Sequence, residues 1–331
     1  MSADPLQAGR NSRVLASPPP AVALEIASSH VTVLSLNDSR EAVISGYAIE
    51  PLAEGVVTPV LNGPNVADQA ALAATIKSAL EKVAPRARRA AMVIPDTSAK
   101  VSLIRFEKVP AKLQDLDQLI RWQVRKAAPF RIEDAQLTWI PGARIDGGGR
   151  EFVVSMARRD VIESFERAAD AAGLHAGLID IASFSLVNAQ LAAAQTAGDW
   201  LLVHVAREYV TLAVVRGPDL VFFRNRAVGA EADLADMVHQ TAMYHEDRLG
   251  GGGFSRVVLA GASLAGPDQA ERLRRAIEER VSARVELLDV RSAAALRDRI
   301  AASAGLLDTL AAPVGVLMRE RPGRAASGRV A

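Results

Sequence analysis

Residues 23–36 read ALEIASSHVTVLSL, and residues 201–214 read LLVHVAREYVTLAV. Each stretch is an apolar strand, a short corner of small or polar residues, and a second strand with apolar residues at alternate positions. A strand–turn–strand unit that recurs at long range predicts two halves built alike. The first corner begins Glu25-Ile26-Ala27 and continues Ser28-Ser29; the second begins His204-Val205-Ala206 and continues Arg207.

Composition bounds what such a chain can be. At 331 residues and 50% hydrophobic content it can bury two domain-sized cores. Thirty-nine basic residues against 38 acidic ones leave a formal charge of +1, which gives no electrostatic footprint for nucleic acid. The absence of cysteine excludes disulfides and thiolate-bound metal, and favours a cytoplasmic location. No run of about 18 apolar residues predicts a transmembrane helix. Residues 1–20 are Pro-, Ser- and Ala-rich without an apolar signal core, and residues 319–331 are small and basic; both read as tails.

Between the hairpins, the spacing of Leu72, Ile76, Leu80 and Val83 predicts a helix over 66–84, capped by Asn65 or Asp68. Strands are expected at 90–94 and 101–106, and a helix at 113–127 stopped by Pro129. A strand pair at 136–140 and 151–156 turns at 146–149. A helix over 160–172 ends at Gly173, a strand covers 175–179, and a helix over 183–195 takes Ser183 as its cap. The second half opens with three strands in meander order, 200–205, 209–215 and 220–227. A helix at 233–249 leads into a flexible glycine break at 250–253. A strand at 256–259, a helix at 268–281, a strand at 284–288 and a two-piece helix over 292–311 complete it. The predicted class is α/β, with a three-strand meander opening each half and a boundary at 197–199.

The run 119–139, LIRWQVRKAAPFRIEDAQLTW, joins an Ile-Arg-Trp helix, a Pro-Phe stop, an acidic turn and an aromatic-bearing strand. With Val109-Pro110 before it, Ile94-Pro95, Arg158, the segment 179–184 (IDIASF) and the closing 311–315 (AAPVG), this pattern resembles the PilM family of type IV pilus assembly proteins. That family belongs to the actin-like ATPases. The resemblance spans residues 21–318 and implies an actin-like, ribonuclease H-like duplicated fold. The first lobe is expected over 21–198 with an inserted α+β subdomain at about 95–156. The second is expected over 199–318, with its clamp subdomain reduced to 228–253.

In the actin-like fold the two corners wrap the phosphates of ATP and normally read Asp-x-Gly. Glycine there lets backbone N–H groups reach phosphate, and carboxylates hold hydrated Mg²⁺. Here Glu25 and Ala27 occupy the first corner, which keeps Ser28 and Ser29. His204 and Ala206 occupy the second, which keeps Thr211 and offers Arg207 as a phosphate partner. The adenosine-side motif retains one glycine, Gly261, followed by Ala262 and Ser263. These substitutions predict a pseudo-ATPase with no catalytic residues and no expected cofactor, ATP and Mg²⁺ being the only candidates. A divergent ATPase or sugar kinase using Glu25 and Arg207 is the enzymatic alternative.

Other chemistry finds little support. His239 and His245 sit about 240° apart on one predicted helix, off a common face, so no metal site is expected. No serine lies in a Gly-x-Ser-x-Gly context.

The resemblance implies a protein peripheral to the inner membrane that binds the N-terminal cytoplasmic peptide of a PilN-like membrane protein. Pilus motor ATPases and a second copy of the chain are further candidate partners. Trp122 and Phe130 with Arg121 and Arg125 make a docking surface of suitable chemistry; alternatively the two aromatics form the core of the inserted subdomain. The cytoplasmic domain of a GspL-like type II secretion protein shares the architecture. Such proteins continue into a transmembrane helix, whereas this sequence ends in a polar tail.

Overall fold

The computed structural model describes residues 20–37, 41–193, 197–228, 232–296 and 302–319; apart from Pro20 and Arg319, the two predicted tails lie outside them. Strands β1 (Val22–Ile26), β2 (His30–Leu36) and β3 (Val43–Pro51) form an antiparallel meander. Helix α1 (Gln69–Val83) crosses over to β4 (Arg89–Ile94), which pairs parallel to β1. Next come β5 (Lys100–Phe106), α2 (Leu113–Arg125), β6 (Ala135–Arg144) and β7 (Arg150–Arg158). Helix α3 (Arg159–Ala171), β8 (His175–Ile181) and α4 (Ala182–Ala193) end the first half.

The second half repeats the plan. A meander of β9 (Asp199–Val205), β10 (Tyr209–Arg216) and β11 (Asp219–Ala227) is followed by α5 (Ala232–Leu249), β12 (Arg256–Ala260), α6 (Pro267–Glu278) and β13 (Val285–Leu287). The sheet orders, β3-β2-β1-β4-β8 and β11-β10-β9-β12-β13, are the same order used twice. Register strengthens the match: Glu25 stands opposite Thr32 on β2, and His204 stands opposite Thr211 on β10.

Helix α1 forms where its apolar residues recur at helical spacing, burying Leu72, Ile76, Ala79 and Leu80. Each large aliphatic side chain so buried contributes about 1.5–3 kcal/mol. Its N-cap is Asp68, whose side chain accepts from the Ala71 N–H at 2.9 Å. Asn65 has another task. It is buried, donates to the Val60 and Gly63 carbonyls and accepts from the Ser98 hydroxyl, pinning the preceding loop.

The last segment departs from expectation. In place of a helix in two pieces over 292–311, a short strand β14 (Ala295–Leu296) pairs parallel with β3, and a single helix α7 (Ala304–Met318) follows. Ser303 caps that helix, accepting from the Leu306 N–H, so Gly305 lies in its first turn instead of breaking it. β14 extends the first lobe's sheet, and α7 packs on β1, β2, β4 and α4 of that lobe as well as on the turn at Ala262–Ala265 of the second. The second sheet therefore gains no strand beyond β13 among the described residues. Gly315 sits at the α4–α7 crossing, where a Cβ would fall 1.8 Å from the Ser185 carbonyl oxygen.

The layers run α1 and α3, first sheet, α4 and α7, second sheet, α5 and α6, with an apolar core in each gap. Ala23 and Leu34 of the first sheet share the central core with Leu202 and Ala213 of the second. The inserted subdomain is a sheet β5-β7-β6 with α2 laid over it on Leu116, Ile120, Val124, Phe152 and Met156.

Only one helix, α5, stands between β11 and β12 among the described residues. The glycine break that follows it has a structural task. His245 on α5 is fully buried, bonds to Asp199 at 2.6 Å and stacks on Phe254, while its carbonyl accepts from the Gly251 N–H.

Candidate functional site

The two corners face one another across a cleft of about 540 Å³ between the lobes. Its wall includes Glu25, Ala27, Ser28, Ser29, His204, Ala206, Arg207 and Gly261. Thr211 and Ser263 stand behind it, both buried. The corners also touch directly, the Ser28 hydroxyl donating to Glu208 Oε1 at 2.5 Å.

The centre of the site is a residue that the sequence reading passed over. Asp96, fully buried just beyond β4, accepts the backbone N–H of Ser183 at 2.8 Å on one oxygen. Its other oxygen accepts from the Ser183 hydroxyl and, at 2.6 Å, from the Thr211 hydroxyl. His204 Nδ1 lies 3.5 Å from that oxygen and 3.0 Å from the Ser183 hydroxyl. Asn225 donates to Thr211 at 2.8 Å, and the Asp96 N–H donates to the Tyr209 hydroxyl at 3.2 Å. Ser183 therefore does not cap α4; it lies inside the first turn and spends both polar groups on Asp96.

Burial alone would push the Asp96 carboxyl up, but hydrogen bonding and charge from His204, with hydrogen bonds from Ser183, hold it below the usual carboxylate range. Glu25 goes the other way: burial first, then the negative charge of Asp96, pushes it up to about 8. It is therefore largely neutral at pH 7.

These groups do not suit a hydrated Mg²⁺ with a triphosphate. Each corner closes a turn on itself, Ala27 N–H donating to the His30 carbonyl and Ala206 N–H to the Tyr209 carbonyl. The Thr211 hydroxyl and the Ser28 hydroxyl already have carboxylate acceptors. His204 is turned into the Asp96 cluster, and imidazole is a poor ligand for magnesium. Arg207 pairs with the exposed Glu54 at 3.2 Å. Gly261 has φ +79°, and a Cβ there would fall 2.1 Å from the Val205 carbonyl oxygen, so close packing of β12 on β9 itself requires glycine. The Ser263 N–H next to it donates to Asp308 at 2.9 Å.

Asp96 could have been noticed as a lone acid at the end of an apolar strand, directly after Ile94-Pro95. Glu208 and Tyr209 follow Arg207 in the second corner itself, whereas Asp308 carries no such signal, because only the return of α7 brings it to the cleft.

On the inserted subdomain the aromatic pair divides. Trp122 is 60% exposed with the Lys126 ammonium 5.7 Å from its ring centre, whereas Phe130 packs on the subdomain core. Arg121 pairs with Asp117 at 2.7 Å and Arg125 with Glu133 at 3.8 Å. Trp139 also packs on the subdomain core, against Phe152, and donates to Asp117.

A duplicated ribonuclease H-like sheet with a cleft between its halves defines an actin-like protein. The sequence profile of a family described as "Type IV pilus assembly protein PilM" matches residues 23–248, and the chain belongs to that family. Among solved structures, a "PilM-PilN type IV pilus biogenesis complex" is similar with a TM-score of 0.77 and 18% identity, covering 92% of this chain and 100% of that one. A Bacteroides thetaiotaomicron protein of actin-like ATPase fold and unknown function gives 0.49 at 8% identity, covering 81% and 90%. The cytoplasmic domain of EpsL, an inner-membrane component of the Vibrio cholerae type II secretion system, gives 0.45 at 10% identity, covering 72% and 80%. Comparison with curated protein sequences returned no match.

Proposed function

We propose that this chain is a scaffold of a type IV pilus assembly complex that binds the N-terminal cytoplasmic peptide of a PilN-like membrane protein and does not hydrolyse ATP. Family membership and the similarity to a PilM–PilN complex support the partner. The observation that supports the loss of hydrolysis is Asp96, whose carboxylate takes up Ser183, Thr211 and His204, the last of which lines the cleft. Of the two lining groups that could act on a phosphate, Glu25 is held largely neutral and Arg207 is paired with Glu54. Among the described residues no helix is long and apolar enough to cross a membrane. In this reading the protein reaches the inner face of the inner membrane through its partner.

The partner peptide lies between the first lobe and the inserted subdomain, with Trp122 as an anchor. An exposed tryptophan beside basic side chains has the chemistry of an interface hot spot. Calorimetry with a synthetic PilN-like N-terminal peptide tests this. Trp122→Ala should weaken binding by about tenfold or more; unchanged affinity in a folded variant refutes the anchor. Turnover of Mg²⁺–ATP that disappears in Glu25→Ala would establish the enzyme reading instead.

A further inference from the structure

The second sheet carries a row of side chains that its own fold does not use. Strand β11 lies at the sheet edge, and past its bulge Phe222, Arg224 and Arg226 stand across from Val214, Leu212 and Val210. Those three partners belong to the apolar core beneath α5 and α6, so the row lies on the outer face of the sheet. There Phe222 packs against Tyr244 of α5, ring centres 5.5 Å apart, and Tyr244 is still 45% exposed.

The two arginines find no counter-charge. Neither makes an ion pair or a hydrogen bond among the described residues. Arg224 is half-buried, and burial first, then the charge of Arg226, lowers its guanidinium from the ordinary value. A partly desolvated cation beside a like charge is unfavourable, and an anion seated on the pair relieves both costs.

The shape of the patch selects the kind of anion. Positions two apart on a strand lie about 6.7 Å apart, which is also the spacing of alternate side chains in an extended peptide. Aromatic rings beside arginines have the composition of a protein interface. A lipid surface would need a broad cationic plane, whereas α5 exposes Glu246 and Asp247 just beyond Tyr244.

We propose that the flank of β11 and α5 docks an extended acidic segment of a partner protein, with alternate carboxylates on Arg224 and Arg226 and an apolar side chain on Phe222 and Tyr244. It is a second docking face, on the other lobe from Trp122, and it does not depend on what the cleft does with ATP.

The probe is a labelled nine-residue peptide with a central phenylalanine and aspartates two and four positions away on either side, titrated by fluorescence anisotropy against the full chain. At pH 7 and about 0.15 M salt it should bind with a Kd below about 1 mM, and about tenfold or more tightly than its asparagine counterpart. Arg224→Gln combined with Arg226→Gln should weaken it about tenfold without lowering the melting temperature, because neither cation is paired in the fold. Tyr244→Ala should weaken it about threefold, and Trp122→Ala should leave it unchanged. Equal binding of the asparagine peptide overturns the inference, as does no binding up to about 1 mM or unchanged affinity in the double arginine variant. A lowered melting temperature in that variant also overturns it, since the arginines would then serve the fold. Sedimentation with vesicles of about 30% phosphatidylserine supplies the membrane arm: vesicle binding that the double variant abolishes, without peptide binding, assigns the patch to lipid and overturns the peptide reading.

Discussion

The Asp96 carboxylate and the Thr211 hydroxyl, 115 positions apart in the chain and on opposite lobes, meet at 2.6 Å. Both residues are fully buried. Asp96→Ala strands the Ser183 and Thr211 hydroxyls and His204 at once, and should cost about 3 kcal/mol or more. Urea denaturation measures this. In a double-mutant cycle with Thr211→Val, the pair should couple by about 1 kcal/mol. A loss below that size, with no coupling, would mean the lobes do not depend on this contact.

Glu25 makes stability fall as pH rises. Its folded value is raised from 4.5 to about 8, so its contribution is complete below 4.5 and lost progressively as pH climbs through about 8. Glu25→Gln removes the ionisation. The variant should gain on the parent as pH goes from 5 to 9, read as the difference in melting temperature. A constant difference across that range would place the charge of Glu25 elsewhere.

Gly315→Ala sets a methyl group 1.8 Å from the Ser185 carbonyl oxygen, against backbone that cannot step aside. The α4–α7 crossing must spread, at about 2–3 kcal/mol. Thermal melting of the variant checks it, and a shift of less than a degree would show that the helices separate freely.

Trp122 and Phe130 should separate in stability measurements. Trp122→Ala removes a largely exposed ring and should change stability by under about 0.5 kcal/mol. Phe130→Ala removes a ring packed on the subdomain core and should cost about 2 kcal/mol. Equal losses would mean that Trp122 is also core. The stability data thus decide which variant is fit for binding experiments.

The duplicated meander was legible because it is local. Alternation in 23–36 and 201–214 reports strands whose neighbours follow directly in the chain. Corner residues could be placed for the same reason, and Glu25 and His204 do occupy equivalent positions. The chemistry of the cleft was not legible, since it depends on groups that only the closed lobes bring together. Asp96 reads as a loop acid until Ser183, His204 and Thr211 surround it. Likewise β14 is only Ala295–Leu296, too short for any periodicity, and exists because the edge of β3 is there to receive it. Trp122 failed as a core assignment through geometry: Leu116, Ile120 and Val124 already define the buried stripe of α2, and position 122 points away from it.

The return of β14 and α7 to the first lobe has a consequence during synthesis. Reckoned along the chain, the second lobe is an insertion within the first. Residues 22–193 emerge from the ribosome long before Leu307, Leu310 and Val314, which close the central core, have been made. Until then the inner face of the first sheet is covered by α4 without α7. The half that begins the chain is therefore completed only when the end of the chain has been made.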